Sequence, residues 1–480
     1  MHFSNSSCSN FPCKRGTCCV NHLKALSKHY IRRALNEVRY PQGKDQTLFI
    51  NSWSLQHPLI FIEYEFKGVN YQNKIEFTDL TEDDFKSVDA ATLNLLVAHI
   101  AIMMSNVFFK IDHINRIECR FAAFGPNWTE FHQYLLSRAL GEFKFLQGLS
   151  LHHPLTVAGN AVCKTDTQLP PREFNEQCLV MNGGGKDSIT SGELAKQAGL
   201  PFAWYTVGLN TVRKTVIETA ASGDSLSITY KTDSKIGQNA KFSYTPIAGP
   251  AFISATALLH AYLKGYKYIV FSNERSADDP NLVVAGVEIN HQYSKSLDFE
   301  SHYRNFAQSV TQGGVHYFSL FRPIYELAIV KIFSQYPKYF DKFISCNIGI
   351  SKNIWCKKCE KCAFILLCMG AYLDDDEIVR IFGEPLMQNQ QIRKHVLRLC
   401  SNQTKAWECV GLQDECRLAL RMYLDRRPTE EFSAAPYRRD LEKSCADISV
   451  PAARAEFLSV NTEGHYVPDR FMAVLKQACS

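Results

Sequence analysis

Residues 177–199 read QCLVMNGGGKDSITSGELAKQAG, and this stretch decides the fold. QCLVMN is short and apolar, which predicts a buried strand. SITSGELAKQAG predicts a helix with Gly199 as its carboxy-terminal cap. A glycine-rich turn between the two leaves backbone N–H groups pointing at whatever occupies the helix amino terminus, where the helix dipole adds partial positive charge. Gly183, Gly184 and Gly185 permit the close backbone approach a phosphate needs. Lys186 adds a cation, Asp187 can hold Mg²⁺ bridging to phosphates, and Ser188 can cap the helix or donate to phosphate. The spacing is not that of a Walker loop, which has four residues between its first Gly and Gly-Lys-Ser/Thr.

Outward from the loop, FAWYTVG at 202–208 predicts a second strand, 247–266 a helix and KYIVFS at 267–272 another strand. Strand and helix in alternation predict an α/β domain, a parallel sheet with covering helices. Ligands of such sheets bind at the carboxyl ends of the strands. Upstream, the β-branched and aromatic stretch 47–77 predicts two or three strands, and helices are expected over 90–109 and 128–146. This smaller α+β domain is expected to precede the sheet domain, ending at a linker marked by Pro170 and Pro171. The expected division is a tail at 1–40, an α+β domain at 41–165, the nucleotide domain at 170–425 and an extension at 426–480.

At 480 residues the chain is long enough for two or three domains. Hydrophobic residues make up 46% and charged residues 21%, ordinary for a globular protein. The net charge of +5 gives no independent case for nucleic-acid binding. The apolar stretch 90–109 contains Asn94, His99, Ser105 and Asn106, so it is expected to be a buried helix and not a membrane span. No Asp or Glu precedes Glu37, and the basic, serine-containing start has the composition of a transit peptide or a disordered tail. The expected location is the cytoplasm, or an organelle if that segment is a transit peptide. Cys8, Cys13, Cys18 and Cys19 in it match no zinc pattern.

Cys346, Cys356, Cys359 and Cys362 form C-x9-C-x2-C-x2-C. Four thiolates suit a closed tetrahedral structural zinc site, which leaves no position for a catalytic water. An iron–sulfur cluster and four reduced core cysteines are the alternatives. Three polar blocks lie between loop and cysteines: NERSADD at 273–279, NHQYSKS at 290–296 followed by Phe299 and Glu300, and FRPIYE at 321–326. Their amides, cations and carboxylates suit recognition of an anionic substrate, with local capping of turns as the bland alternative. Asn273, Glu274, Arg275, Ser276, Asn290, Gln292, Ser294, Arg322 and Glu326 are the candidate substrate-binding residues.

GGGKDS resembles the SGGxDS signature of the PP-loop ATP pyrophosphatases, with Gly183 in place of the usual serine. That resemblance implies cleavage of ATP between the α and β phosphates and transfer of AMP to a substrate oxygen. The cysteine arrangement resembles the zinc site of 7-cyano-7-deazaguanine synthase. LGEF at 140–143, the three polar blocks, the cysteines and ECVG at 408–411 follow one another as in the UDP-N-acetyl-α-D-muramoyl-L-alanyl-L-glutamate epimerase family, which the chain resembles from about Leu140 to Arg417. One departure is Tyr244 in SYTP, where that family's pattern has a His before the proline matching Pro246. The resemblance implies ATP-dependent inversion of the terminal glutamate of a UDP-sugar dipeptide, with ATP, Mg²⁺ and structural zinc. His291, Lys295, Glu300 and Cys409 are the candidate proton-transfer groups. The rival readings are another adenylating PP-loop enzyme, a synthetase or a thiolase, and an inactive zinc-stabilised binding protein.

Overall fold

The computed structural model describes residues 46–152, 155–242, 249–284, 286–401, 405–427 and 437–480. The expectations for the basic tail and its cysteines, and for Tyr244 and Pro246, lie outside the described residues. The chain forms two compact units. One takes the chain up to Pro170 together with 230–259 and 282–294; the other takes 171–229, 260–281 and 295–480.

In the first unit, β1 (Thr47–Gln56), β2 (Leu59–Phe66) and β3 (Val69–Phe77) form an antiparallel meander. Lys67 and Gly68 both have positive φ at the β2–β3 turn, the conformation that matches the twist of the flanking strands. Ile60, Ile62, Tyr64 and Phe66 alternate inward along β2, the period of a half-buried strand. β4 (Arg116–Cys119) runs parallel to β1, and β5 (Thr156–Ala158) parallel to β4. Helix α1 (Ala90–Met104) starts where the Asp89 side chain accepts the Thr92 N–H at 2.8 Å. Residues 95–104 are all buried, and Tyr64 donates to the Ala101 carbonyl at 3.0 Å. The apolar stretch therefore serves as the core helix of this unit. The helix expected over 128–146 is two: α2 (Pro126–Ala139), with proline in its first turn, and α3 (Gly141–Gln147), which begins at a residue of poor helix propensity.

The second unit holds β6 (Asn175–Met181), β7 (Phe202–Val207), β8 (Asp224–Lys231) and β9 (Tyr266–Phe271). β10 (Leu282–Val284) and β11 (Val287–Ile289) make a small hairpin of the first unit, and β12 (His316–Ser319) returns to the second. Its sheet order is β12-β9-β6-β7-β8, every neighbour pair parallel. Cys178, Leu179 and Val180 are fully buried, as a parallel strand covered on both faces requires. Helix α4 (Lys186–Gln197) follows β6 and lies close on the sheet: a Cβ added at Gly192 would come 1.8 Å from the Trp204 ring. The last helix, Asp469–Cys479, lies against α4. Arg470 donates to the Ala198 and Gly199 carbonyls at the end of α4, at 2.6 and 3.0 Å, and so satisfies helix-end acceptors.

Candidate active site

The glycine loop joins the carboxyl end of β6 to α4. Gly184 has φ +80°, a conformation residues with side chains rarely adopt, and a Cβ at Gly185 would press on Ser345 Oγ at 2.9 Å. The loop is held by its own residues. Gly183 N–H donates to Ser188 Oγ at 2.8 Å, Gly184 N–H to Asn182 Oδ1 at 3.0 Å, and Lys186 N–H to Ser345 Oγ at 3.3 Å. The Ile344 N–H in turn reaches the Gly184 carbonyl at 3.2 Å. Ser188 therefore does not cap α4: the cap position is Gly185, and the Ser188 hydroxyl folds back to Gly183 because it already lies inside the first turn.

Lys186 differs from the expected phosphate cation. Its ammonium is fully buried and ion-paired with Asp187 and Glu326. The other Glu326 oxygen takes Lys361 Nζ at 3.2 Å, and Lys361 also donates to the Cys409 carbonyl. Burial alone would raise the Glu326 carboxyl, but Lys186 and Lys361 outweigh it and hold the group below the usual range. Glu326, expected at the substrate, is thus the anion that balances two buried ammoniums.

The ends of β9 and β12 are tied by one guanidinium. Buried Arg322 donates to Glu300 Oε2 at 3.0 Å, Asp278 Oδ1 at 3.0 Å, the Glu274 carbonyl at 2.8 Å and the Lys295 carbonyl. Glu300 Oε1 accepts the Ser319 N–H at 2.9 Å, so both of its oxygens are engaged. Arg322 and Glu300, candidates for substrate contact and proton transfer, here build the rim itself. Asn273 donates to Ser319 Oγ at 3.0 Å, Arg275 N–H to the Ile324 carbonyl at 2.9 Å, and Glu274 is buried beside them. Ser276 Oγ is buried and makes no hydrogen bond among the described residues, which leaves a polar atom for a ligand at this rim.

Lys295 Nζ donates to Cys409 Sγ at 3.4 Å. Burial would lower the Lys295 ammonium, yet Cys409 and Glu274 together hold it above its ordinary value. The Cys409 loop is fixed from below by Glu415, whose oxygens accept the Leu327 N–H at 2.7 Å and the Leu412 N–H at 3.1 Å. Burial, with the Glu326 charge adding to it, pushes Glu415 up to about 8. Any Cβ at Gly411 would fall 2.1 Å from a Glu415 oxygen, so the glycine of ECVG makes room for that carboxyl.

His291, Asn290, Gln292 and Ser294 belong to the first unit. His291 Nδ1 lies 2.8 Å from Glu142 Oε2, on α3 within LGEF. Asn290 Oδ1 accepts the Gln292 N–H at 2.7 Å, and Ser294 is buried. These three residues shape a turn around the histidine.

Cys346, Cys356, Cys359 and Cys362 bring their sulfurs within 4.8 Å of one another. Three of the pairs are 3.9, 3.7 and 3.5 Å apart. A metal about 2.3 Å from each sulfur of a tetrahedron sets the sulfurs about 3.8 Å apart, so the cradle fits zinc-like coordination. Backbone N–H groups of Gly349, Cys356 and Cys362 point at the Cys346 and Cys359 sulfurs, at 3.2, 3.4 and 3.4 Å. Donors of that kind suit thiolates.

Sequence reasoning missed Lys361, Ser345, Glu415 and Glu142. Lys361 stands between two cysteines of the metal site, and a lysine in so apolar a helix start was a signal of a buried partner. Glu142 and Glu415 stood in or beside recognised blocks without an assigned role. Ser345 is a lone serine with no legible signal.

A mostly parallel sheet, charged groups gathered at its carboxyl edge and four sulfurs that could hold a metal define an α/β protein of the kind that binds ligands at the strand ends. The chain belongs to the MurL epimerase family: the MurL N-terminal domain matches residues 48–320 and the MurL C-terminal domain residues 342–454. A relative from Micromonospora sp., named UDP-N-acetyl-alpha-D-muramoyl-L-alanyl-L-glutamate epimerase, is 32% identical over 322 residues, 64% of this chain and 70% of its own. Proteins of the same name from Salinispora tropica and Xanthomonas oryzae pv. oryzae are 33% and 30% identical, covering 69% and 65% of this chain and 73% and 70% of theirs. No solved structure matches the chain.

Proposed function

We propose that this chain is an ATP-dependent epimerase that inverts the terminal L-glutamate of UDP-MurNAc-L-Ala-L-Glu through an acyl adenylate, releasing AMP and diphosphate. The observation that carries the reading is the glycine loop at the carboxyl end of β6, with Asp187 beside it, in a chain whose relatives bear that epimerase name. Removing an α-proton beside an ionised carboxylate places a second negative charge next to the first. Adenylation removes the first charge and withdraws electrons, and each 1.4 kcal/mol taken off the barrier is about tenfold in rate. The Gly185 backbone and the start of α4 would receive the phosphates, since the Gly183 and Gly184 N–H groups already donate to Ser188 and Asn182, and Asp187 would hold Mg²⁺. The four cysteines would hold zinc, which supplies only structure in a closed site. Such an enzyme would work in the cytoplasm, or in an organelle if residues 1–36 are a transit peptide.

The test is purified protein with ATP, Mg²⁺ and the UDP-linked dipeptide in heavy water. AMP should appear, D-glutamate should accumulate, and deuterium should enter the α-position only when ATP is present. Equal exchange with and without ATP would point to a direct racemase and sink the adenylation step.

A further inference from the structure

Inversion needs a base for the α-proton, and the four candidates do not stand equal. Both Glu300 oxygens are occupied, one by Arg322 and one by the Ser319 N–H. His291, its Nδ1 2.8 Å from Glu142 Oε2, belongs to the first unit, whereas the glycine loop belongs to the second. Lys295 presents an ammonium, a donor, to Cys409 Sγ at 3.4 Å. Cys409 remains. It is part-buried, and it sits on a segment held at three points in the second unit: Lys361 on its own carbonyl, Asn281 on the Ala406 carbonyl at 2.9 Å, and Glu415 on the Leu412 N–H. Lys361 also binds Glu326, and Glu326 binds Lys186 of the phosphate loop. The Cys409 backbone is thereby linked to the loop through its carbonyl and two shared ion pairs, the kind of rigid support a reacting group needs.

We infer that Cys409 is the proton-transfer base of this site and that Lys295 is its positioning residue. The inference rests on the proposed epimerase reaction. The Cys409 thiolate takes the α-proton of the acyl adenylate: the C–H bond breaks, an S–H bond forms, and the electron pair moves onto the acyl oxygen. A proton drawn from water then adds to the opposite face, and the thiol returns its own proton to solvent. Lys295 donates to the sulfur and holds it in one direction.

The experiment reads two quantities on full-length protein. The first is α-deuterium exchange divided by AMP released. It should fall about a hundredfold or more in Cys409→Ala and Cys409→Ser, the range general base catalysis contributes. The second is iodoacetamide labelling at neutral pH, resolved by peptide mass spectrometry. Cys409 should label faster than the comparably exposed Cys163, Lys295→Met should slow it, and Lys295→Arg should restore most of the rate. An unchanged exchange ratio in Cys409→Ala overturns the inference while leaving the epimerase reading intact. Labelling of Cys409 no faster than Cys163, or indifferent to Lys295→Met, overturns the role of the lysine. Wild-type protein that neither releases AMP nor exchanges the proton removes the epimerase reading and this inference with it.

Discussion

Ser345 Oγ accepts the Lys186 N–H at 3.3 Å, and the chain neighbour of Ser345 is Cys346, the first sulfur of the metal site. On the far side of the same site, Lys361 lies between Cys359 and Cys362 and binds the Glu326 that holds Lys186. The cysteine cluster therefore grips the glycine loop twice, once through the Ser345 hydroxyl and once through an ion pair. Removing the Ser345 hydroxyl should loosen the first grip only. A net hydrogen bond is worth about 1 kcal/mol, so Ser345→Ala should raise the KM for ATP about fivefold. An unchanged KM in a folded variant would deny that link.

Metal analysis should find about one zinc per chain, as a four-thiolate cradle implies. Cys359→Ser should lose the metal and melt well below the wild type, because structural zinc contributes on the order of 10 kcal/mol of apparent binding energy. The melting curve and the metal content are read on the same sample. A metal-free variant with wild-type melting would contradict a structural role.

Asp187→Ala should abolish AMP formation, since Asp187 is proposed to hold Mg²⁺ at the loop, while Glu326 still pairs Lys186 and keeps the fold. Glu326→Gln should act in the opposite order. It leaves buried Lys361 without its carboxylate and Lys186 with Asp187 alone, a change that costs about 3–5 kcal/mol, so thermal melting should fall before catalysis can be assessed. Near-native melting in Glu326→Gln would show that this ion pair does not hold the site.

The first unit carries a buried histidine pair. His99 Nδ1 lies 2.9 Å from His132 Nε2, and His132 Nδ1 lies 2.6 Å from the Trp128 carbonyl. Burial lowers His132 to about 4, and burial with the neighbouring His132 lowers His99. The unfolded chain takes up these protons near pH 6.5 and the folded chain only at much lower pH. Their contribution to stability is therefore whole above about 6.5 and is lost as pH falls toward 4. Urea melts at pH 7, 6 and 5 should show the decline, and His132→Phe should flatten it. A slope identical in the two proteins would assign the acid sensitivity elsewhere.

Much of this was legible in the chain. QCLVMN, FAWYTVG and KYIVFS announced three parallel strands because doubly buried strands are written as continuous apolar runs. The cysteine spacing announced its cluster for a similar reason: ligand geometry constrains sequence locally. The break at Leu140 and the roles of Lys186, Ser188 and Arg322 were not legible. Each is decided by what stands opposite in three dimensions: Glu326 for Lys186, the Gly183 amide for Ser188, and Glu300 for Arg322. Nor does local pattern show that 230–259 and 282–294 join the first unit, because that is a property of the packed chain alone.

Gly192 faces the Trp204 ring with no room for even a methyl group. That closeness offers geneticists a handle. Alanine there must lift α4 from the sheet, and the amino end of α4 is the glycine loop. Every charged side chain of the rim would remain as it is. Gly192→Ala should therefore behave as a heat-sensitive allele, active in cool-grown cells and idle at elevated temperature. Its growth defect could be switched on within one culture, separating loss of the activity from loss of the polypeptide.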